Sequence, residues 1–170
     1  MKNICIVAGE PNSINSEIIA KSWLKLKIAD RKKLIIIGNY NLIKLQLKKL
    51  KYKIDLEKTN ILNQTKKNKL RIYDISFEKN KLSKYIKDSL NKAHELAIKR
   101  KIKGFINCAI DKSNLPNQNG VTEYLSSKNK NNFFKNMLIY NEKISVVPLT
   151  THIELKKVSN KLNKKFIIKK

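Results

Sequence analysis

The sequence predicts an α/β fold in which helices cover both faces of a mostly parallel sheet. Short apolar runs of strand length alternate with longer stretches whose apolar residues recur at helical spacing. Strands that alternate with helices in this way pair in parallel and are buried on both faces. The predicted buried strands are residues 3–8, 34–37, 70–75 and 104–110. No internal repeat or second domain is evident, so residues 1–170 are predicted to form a single domain.

The first half of the chain contains two predicted helices. Ser16 is a candidate N-cap for a helix that extends to Lys27, because a serine hydroxyl can accept a hydrogen bond from a free amide at a helix start. A second helix is predicted over residues 42–50, followed by a short extended piece at 52–56 and a polar loop at 58–69. The apolar residues of the two helices are Ile18, Ile19, Trp23 and Leu26, then Leu42, Leu45, Leu47 and Leu50.

The clearest helix is predicted over residues 81–100, where one apolar stripe repeats at helical spacing. His94 lies beside this stripe, and we interpret it as a boundary or surface residue rather than a ligand. A loop is predicted at residues 111–120. The remaining predicted elements are a short helix at 122–127, strands at 137–140 and 144–149, and a final helix from Glu154 with Leu155, Val158 and Leu162 facing inward.

Composition limits the class of protein. The sequence contains no apolar run near the roughly 18 residues that a membrane-spanning helix needs, so no membrane association is expected. The start of the chain has no apolar segment followed by a small-residue cleavage site, and we therefore expect a cytoplasmic protein. Cys5 and Cys108 both lie in strand-like runs, which favours buried thiols in a reducing compartment.

The net charge of +25 has two interpretations. A nucleic-acid-binding protein would use such a charge to displace counterions from phosphates. However, only three of the 38 basic residues are arginines, and the lysines are spread along the whole chain instead of being clustered. Arginine is the residue that makes forked contacts to phosphates and bases. The pattern favours a solvated, compositionally lysine-rich surface that binds polyanions non-specifically at low salt.

Two segments carry the main functional signal. An apolar run from Ile144 ends in Thr150-Thr151-His152, and Gly120-Val121-Thr122-Glu123-Tyr124 lies some thirty residues earlier. Ligands collect at the carboxyl ends of strands in open α/β sheets, and a histidine there can bind a metal or transfer protons. We therefore expect His152 at the end of a core strand, facing a cleft that it shares with Thr122.

These segments resemble two signatures of the 4-hydroxythreonine-4-phosphate dehydrogenase family of pyridoxal phosphate biosynthesis. The opening residues 4–11 are also similar to its first strand and Gly-Asp/Glu-Pro turn, and residues 133–138 resemble a segment that ends in Met-Met-Leu. The resemblance covers nearly the whole chain and corresponds to the N-terminal half of the family. It implies a three-layer α/β/α sandwich with a mostly parallel sheet, like that of the isocitrate dehydrogenases, in truncated form.

The resemblance also implies roles for particular residues. His152 corresponds to a histidine that binds a divalent metal, and Thr122 corresponds to a threonine that contacts the substrate phosphate region. Val121 stands where the family has a substrate-contacting histidine, and Ser13 and Asn15 replace two glycines of the first loop. NAD, a divalent metal, a phosphorylated small-molecule substrate and a homodimer are the implied cofactors and partners.

The resemblance implies NAD-dependent oxidation and decarboxylation of 4-phosphooxy-L-threonine. The family takes two further metal-binding histidines and most of its dinucleotide site from its second half. We therefore expect this chain to be incomplete or degenerate, or to need a complementing C-terminal half. No catalytic or cofactor-binding residue is assigned. The alternative is a non-enzymatic protein that binds nucleic acid or a small molecule.

Overall fold

The computed structural model describes residues 2–60, 68–115, 120–128, 136–150 and 153–169. The chain divides into two compact units, residues 1–121 and 122–170. Among the described residues, no helix is both long and apolar enough to cross a membrane.

The first unit contains one five-stranded sheet and its covering helices. The strands have the spatial order β3-β4-β2-β1-β5, and every adjacent pair is parallel. This architecture confirms the predicted α/β fold with a mostly parallel sheet. Its elements are β1 (Asn3–Val7), α1 (Asn15–Lys25), α2 (Ile28–Arg31), β2 (Leu34–Gly38), α3 (Tyr40–Lys49), β3 (Leu56–Thr59), β4 (Leu70–Asp74), α4 (Leu82–Ile98) and β5 (Ile102–Asn107).

The sheet has helices on both faces. On one face, Trp23 of α1 and Leu47 of α3 pack with Ile36 of β2 in a single apolar cluster. On the other face, α4 packs against β1, β2 and β5 and buries its predicted apolar stripe. Successive side chains of a strand point to opposite faces, so the continuous apolar run of β2 supplies both layers.

Two local predictions for this unit were wrong. Helix α1 begins at Asn15, so Ser16 lies inside the first turn, where its hydroxyl donates to Gln46 Oε1 of α3 at 2.5 Å instead of capping α1. The extended piece predicted at 52–56 pairs as β3 only from Leu56 to Thr59. Strand β3 lies at the edge of the sheet and is only partly buried, so its sequence is largely polar. It therefore lacks the apolar pattern from which a strand is predicted.

The second unit contains short elements. Helix α5 (Val121–Ser127) starts at the last residue of the first unit, and β6 (Ile139–Tyr140) pairs with β7 (Ser145–Val146) in an antiparallel ladder. A 3-10 turn (Leu155–Lys157), α6 (Val158–Lys161) and α7 (Lys164–Lys169) follow.

The expectation of a core strand over 144–149 was wrong. Strand β7 spans two residues, it belongs to the small antiparallel ladder, and the Ile144 side chain is 67% exposed. An apolar run is buried only where a second layer packs against it, and in the part of the chain that the structure describes Ile144, Val146 and Val147 stay exposed.

The predicted single final helix was also wrong. Leu162 adopts an extended backbone that ends α6, and the Asn163 side chain accepts a hydrogen bond from Phe166 N at the start of α7. Leu155 was expected to face inward, but its side chain is 88% exposed. Asparagine competes for backbone hydrogen bonds and thus favours a break between two short helices over one continuous helix.

Candidate functional site

The strand order places a topological switch at β1. From β1 the chain proceeds to β2 on one side, whereas β5 pairs with the other side of β1. In open parallel sheets, the crevice beyond the carboxyl ends of two such strands is the usual ligand site. The loops that follow β1 and β5, residues 8–14 and 108–111, therefore form the candidate site of the first unit.

Gly9 brings these two loops together. Its φ of +71° lies in the left-handed region, where a side chain is disfavoured. A Cβ at this position would lie 2.6 Å from the Ala109 carbonyl oxygen and 2.7 Å from Asn15 Nδ2. The following amide, Glu10 N, donates to the same Ala109 oxygen at 3.2 Å. Glycine is thus required both by the backbone conformation and by the close approach of the loop after β5.

Asn15 fills the space between the loops. Its side chain is 2% exposed, and Nδ2 donates to Ala109 O at 2.8 Å. Oδ1 is buried, and none of the described groups donates a hydrogen bond to it. In the family pattern a glycine stands at this position, so the carboxamide occupies volume that a glycine would leave open.

Ser13, the other glycine replacement, stabilises the same turn. Its hydroxyl donates to Glu10 O at 2.7 Å and accepts from Asn15 N at 3.2 Å. Outside glycine, the described residues with positive φ are Lys51 and Arg100. The loop therefore does not need left-handed geometry at Ser13 or Asn15, and hydrogen bonds replace the conformational freedom of the two glycines.

The charged groups at this edge are largely occupied with backbone amides. Glu10 Oε2 accepts from Asp111 N at 3.2 Å, and Asp111 Oδ1 accepts from Ser113 N at 2.8 Å. The bond from the Ser113 amide lowers the pKa of Asp111. Lys112 is exposed in a 3-10 turn (Lys112–Asn114). The carboxylates of Glu10 and Asp111 at this edge thus accept hydrogen bonds from backbone amides, and the Lys112 side chain is exposed.

Asn39 and Asp74 form hydrogen bonds between the loops at the neighbouring carboxyl ends of β2 and β4. Asn39 caps α3 by accepting from Leu42 N at 3.0 Å, and its Nδ2 donates to Ile75 O at 2.9 Å. Asp74 accepts from Tyr40 N at 2.8 Å and pairs with Lys58 Nζ at 2.6 Å. These contacts hold the loops in place, so the Asn39 and Asp74 side chains have structural roles.

The two thiols are poor nucleophiles. Burial raises the pKa of Cys5 to about 11, against a smaller opposing effect of Arg71, and burial also raises the pKa of Cys108. The thiolate is the reactive form, so both cysteines stay protonated near neutral pH. The expectation of a buried thiol is confirmed for Cys5, whereas Cys108 is only partly buried.

The residues predicted from the family motifs lie in the second unit or at its boundary. Thr122 is exposed in the first turn of α5, directly after Val121 and before Glu123. His152 lies outside the described residues, so its position beside Thr122 stays a prediction. His94 is half-buried on α4, as expected for a boundary residue.

The described residues do not fit the metal site that the family implies. Within the ranges given above, no group of three or more His, Cys, Asp or Glu side chains could hold a metal ion. A useful metal site needs several ligands in fixed geometry, and one histidine cannot supply them. No chemical step of this chain is therefore assigned to a metal.

Comparisons with known proteins agree with the motifs. The family model described as pyridoxal phosphate biosynthetic protein PdxA matches residues 30–170. A 4-hydroxythreonine-4-phosphate dehydrogenase of Hydrogenobaculum sp. (strain Y04AAS1) is 29% identical over 180 residues, covering all of this chain and 57% of that protein.

Solved structures show the same fold. A putative 4-hydroxythreonine-4-phosphate dehydrogenase from Salmonella typhimurium matches with a TM-score of 0.83 at 22% identity, covering 98% of this chain and 57% of the other. The Klebsiella pneumoniae enzyme matches with a TM-score of 0.79 at 18% identity, over 99% and 57%. The chain spans little more than half the length of these relatives. Because the family model matches most of the chain, this protein belongs to the PdxA family of pyridoxal phosphate biosynthetic proteins.

Proposed function

We propose that this chain supplies the N-terminal part of a 4-hydroxythreonine-4-phosphate dehydrogenase-type site and has no turnover by itself. The observation that carries the proposal is the family match over residues 30–170, which includes both the Thr122 motif and the Thr150-Thr151-His152 motif. The reaction inferred for a complete site is NAD-dependent oxidation of the hydroxyl of 4-phosphooxy-L-threonine, followed by loss of carbon dioxide.

Within this proposal, the chain contributes substrate binding. The Thr122 hydroxyl is exposed in the first turn of α5 and can donate a hydrogen bond to a phosphate oxygen. Val121 can neither donate nor accept through its side chain, so the neighbouring contact of the family is lost here.

Two observations support the absence of independent turnover. Val121 replaces a substrate-contacting histidine of the family pattern, and the carboxamide of Asn15 occupies the switch point of the sheet. We therefore expect this chain to bind the substrate without turning it over.

Calorimetric titration with 4-phosphooxy-L-threonine and with unphosphorylated 4-hydroxy-L-threonine tests the binding role. Thr122→Val keeps the side-chain shape and removes the hydroxyl, so the dissociation constant for the phosphorylated compound should rise by about 3- to 10-fold. Ser127→Ala is the matched control, because the Ser127 hydroxyl donates to Tyr124 O within the same helix. Equal affinity of Thr122→Val and the unmodified chain, or no binding of the phosphorylated compound, would contradict the proposal.

A further inference from the structure

A cavity of about 450 Å³ lies between helix α3 and the segment that leads into β3, and we call it the α3–β3 cavity. Its volume falls within the range of roughly 300–1,000 Å³ that small-molecule sites occupy. Strands β3 and β5 are opposite edges of the sheet, and none of the described lining residues belongs to the two loops of the candidate site. The cavity is therefore a separate feature of the first unit.

Helix α3 forms one wall of the cavity. The helix residues that line it are Tyr40, Lys44, Leu47 and Lys48, and this spacing places them along one face of the helix. Leu47 is buried in the apolar cluster over the sheet, and the half-buried Tyr40 ring packs against the same cluster. The Lys44 and Lys48 side chains are exposed. This wall thus combines an anchored aromatic ring with two cations one helical turn apart.

The second wall is held in place by the C-terminal end of α3 and by the sheet. Tyr52 N donates to Leu47 O at 3.0 Å, and the intervening Lys51 has a left-handed φ of +59°. This hydrogen bond and this conformation are those of a Schellman motif, which reverses the chain, and the Tyr52 ring packs against the apolar cluster. Further along, Asp55 O accepts from Leu70 N of β4 at 2.8 Å. Both walls are therefore fixed by backbone hydrogen bonds and apolar packing.

The cavity has an excess of positive charge. Lys53 lines the second wall and is exposed, as Lys44 and Lys48 are on the first. Within the described part of the chain, none of these three lysines forms an ion pair. The fourth charged residue of the described lining is Asp55, so three lysines and one aspartate give a net charge of +2. The lining therefore suits an anionic ligand.

The lining indicates a ligand with chemically different parts. Lysine ammonium groups bind phosphate oxygens as point charges. The rings of Tyr40 and Tyr52 supply aromatic surface against which a planar ring can lie. A carboxylate such as that of Asp55 only accepts hydrogen bonds, so it repels a bare phosphate but suits the hydroxyls of a sugar or the amino group of a base. A nucleotide contains the phosphates, the planar ring and the hydrogen-bond donors together.

We propose that the α3–β3 cavity binds a nucleoside diphosphate. The diphosphate lies against Lys44, Lys48 and Lys53, the base lies against the two tyrosine rings, and the ribose hydroxyls donate to Asp55. This binding is specific for the nucleotide, unlike the general attraction between anions and a chain with a net charge of +25. It does not depend on the proposed substrate chemistry, and its test needs no enzymatic activity.

Calorimetric titration of the full chain with ADP tests the proposal. The titration is done at physiological ionic strength, because salt screens the general attraction between exposed charges. ADP should bind at one site per chain. Adenosine, which lacks the phosphates, and inorganic tripolyphosphate, which lacks the ring and the sugar, are the comparison ligands. Each should bind about 10-fold or more weakly than ADP, because each loses one set of contacts.

Substitutions locate the site. Lys44→Gln and Lys48→Gln should each weaken ADP binding by about 10-fold, because each removes a charged hydrogen-bond donor from the cavity. Lys49→Gln is the matched control, since Lys49 is an exposed lysine of the same helix that is not on the described lining. It lowers the net charge equally, and the affinity should change by less than about 2-fold. All three side chains are exposed, and circular dichroism before titration verifies that each variant is folded.

The outcomes separate a specific site from general attraction between charges. One-site binding of ADP that is weakened by Lys44→Gln and Lys48→Gln, but not by Lys49→Gln, would support the proposal. The absence of saturable ADP binding would overturn it, as would an equal loss of affinity in all three variants. Binding of tripolyphosphate as tight as that of ADP would show that charge alone attracts the ligand, and it would also overturn the proposal.

Discussion

Asn15→Asp tests whether the carboxamide at the switch point holds the two loops together. The substitution keeps the side-chain shape and removes the donor that reaches Ala109 O at 2.8 Å. It also brings a carboxylate oxygen towards that carbonyl oxygen and towards Glu10 O, in a site that is 2% exposed. Leaving a buried acceptor without its donor costs about 1–3 kcal/mol. An uncompensated buried charge raises the expected loss of unfolding free energy to about 3–5 kcal/mol near neutral pH.

The effect should depend on pH in a defined direction. Burial beside carbonyl oxygens raises the pKa of the introduced carboxyl above the value of about 3.9 that it has in the unfolded chain. The charge penalty is therefore absent below the unfolded pKa, grows as the pH rises towards the folded pKa, and is constant above it. Below the unfolded pKa the protonated carboxyl can donate to Ala109 O, and the difference from the unmodified chain should fall to about 1 kcal/mol.

Urea unfolding of the two proteins over a pH series measures this difference. Asn107→Asp is the control, because Asn107 is exposed at the same edge and its amide makes a long contact to Cys108 O at 3.4 Å. The control should change the unfolding free energy by less than about 0.5 kcal/mol. Equal stability of Asn15→Asp and the unmodified chain at neutral pH, or a difference that does not change with pH, would refute the assigned role of Asn15.

Two further predictions concern the first loop and the net charge. Gly9→Ala should lower the unfolding free energy by about 2 kcal/mol or more, through the left-handed φ and the contact with Ala109 O, whereas Gly104→Ala should be neutral or slightly stabilising because its Cβ meets open space. Chemical denaturation of both variants checks this, and equal effects would contradict it. Binding to DNA should be insensitive to sequence and fall steeply with rising salt, since counterion release supplies its free energy. Titration of unrelated duplexes over a salt series measures this, and a preference of about 10³-fold or more at physiological salt would instead indicate a dedicated nucleic-acid-binding protein.

The elements that the sequence predicts well are those with a strong burial pattern. The apolar runs of β1, β2, β4 and β5 and the stripe of α4 lie close to their predicted positions, because the period of burial differs between strands and helices. The terminal region from residue 144 was predicted poorly. Its apolar residues suggest burial, but composition does not show whether a second layer is present to cover them.

The candidate site shows the same contrast. The motif around Thr122 and the two glycine replacements were identified from the resemblance to the family pattern. The contact between Asn15 and Ala109 could not be predicted, because it joins residues 94 positions apart through a single hydrogen bond. In the sequence Asn15 is simply a replacement of a family glycine, whereas in the structure its side chain links the two loops. A polar residue at a glycine position beside a strand end was the available signal.

The most direct test of the proposed division of function is an assay of NADH formation from 4-phosphooxy-L-threonine. The reaction contains NAD and a divalent metal ion, the protein is the chain of residues 1–170, and the full-length Hydrogenobaculum relative is the positive control. We predict turnover by the relative and none by this chain, including its Val121→His variant, because restoring one side chain adds neither metal ligands nor the rest of the site. Robust NADH formation by the chain of residues 1–170 alone would contradict the account.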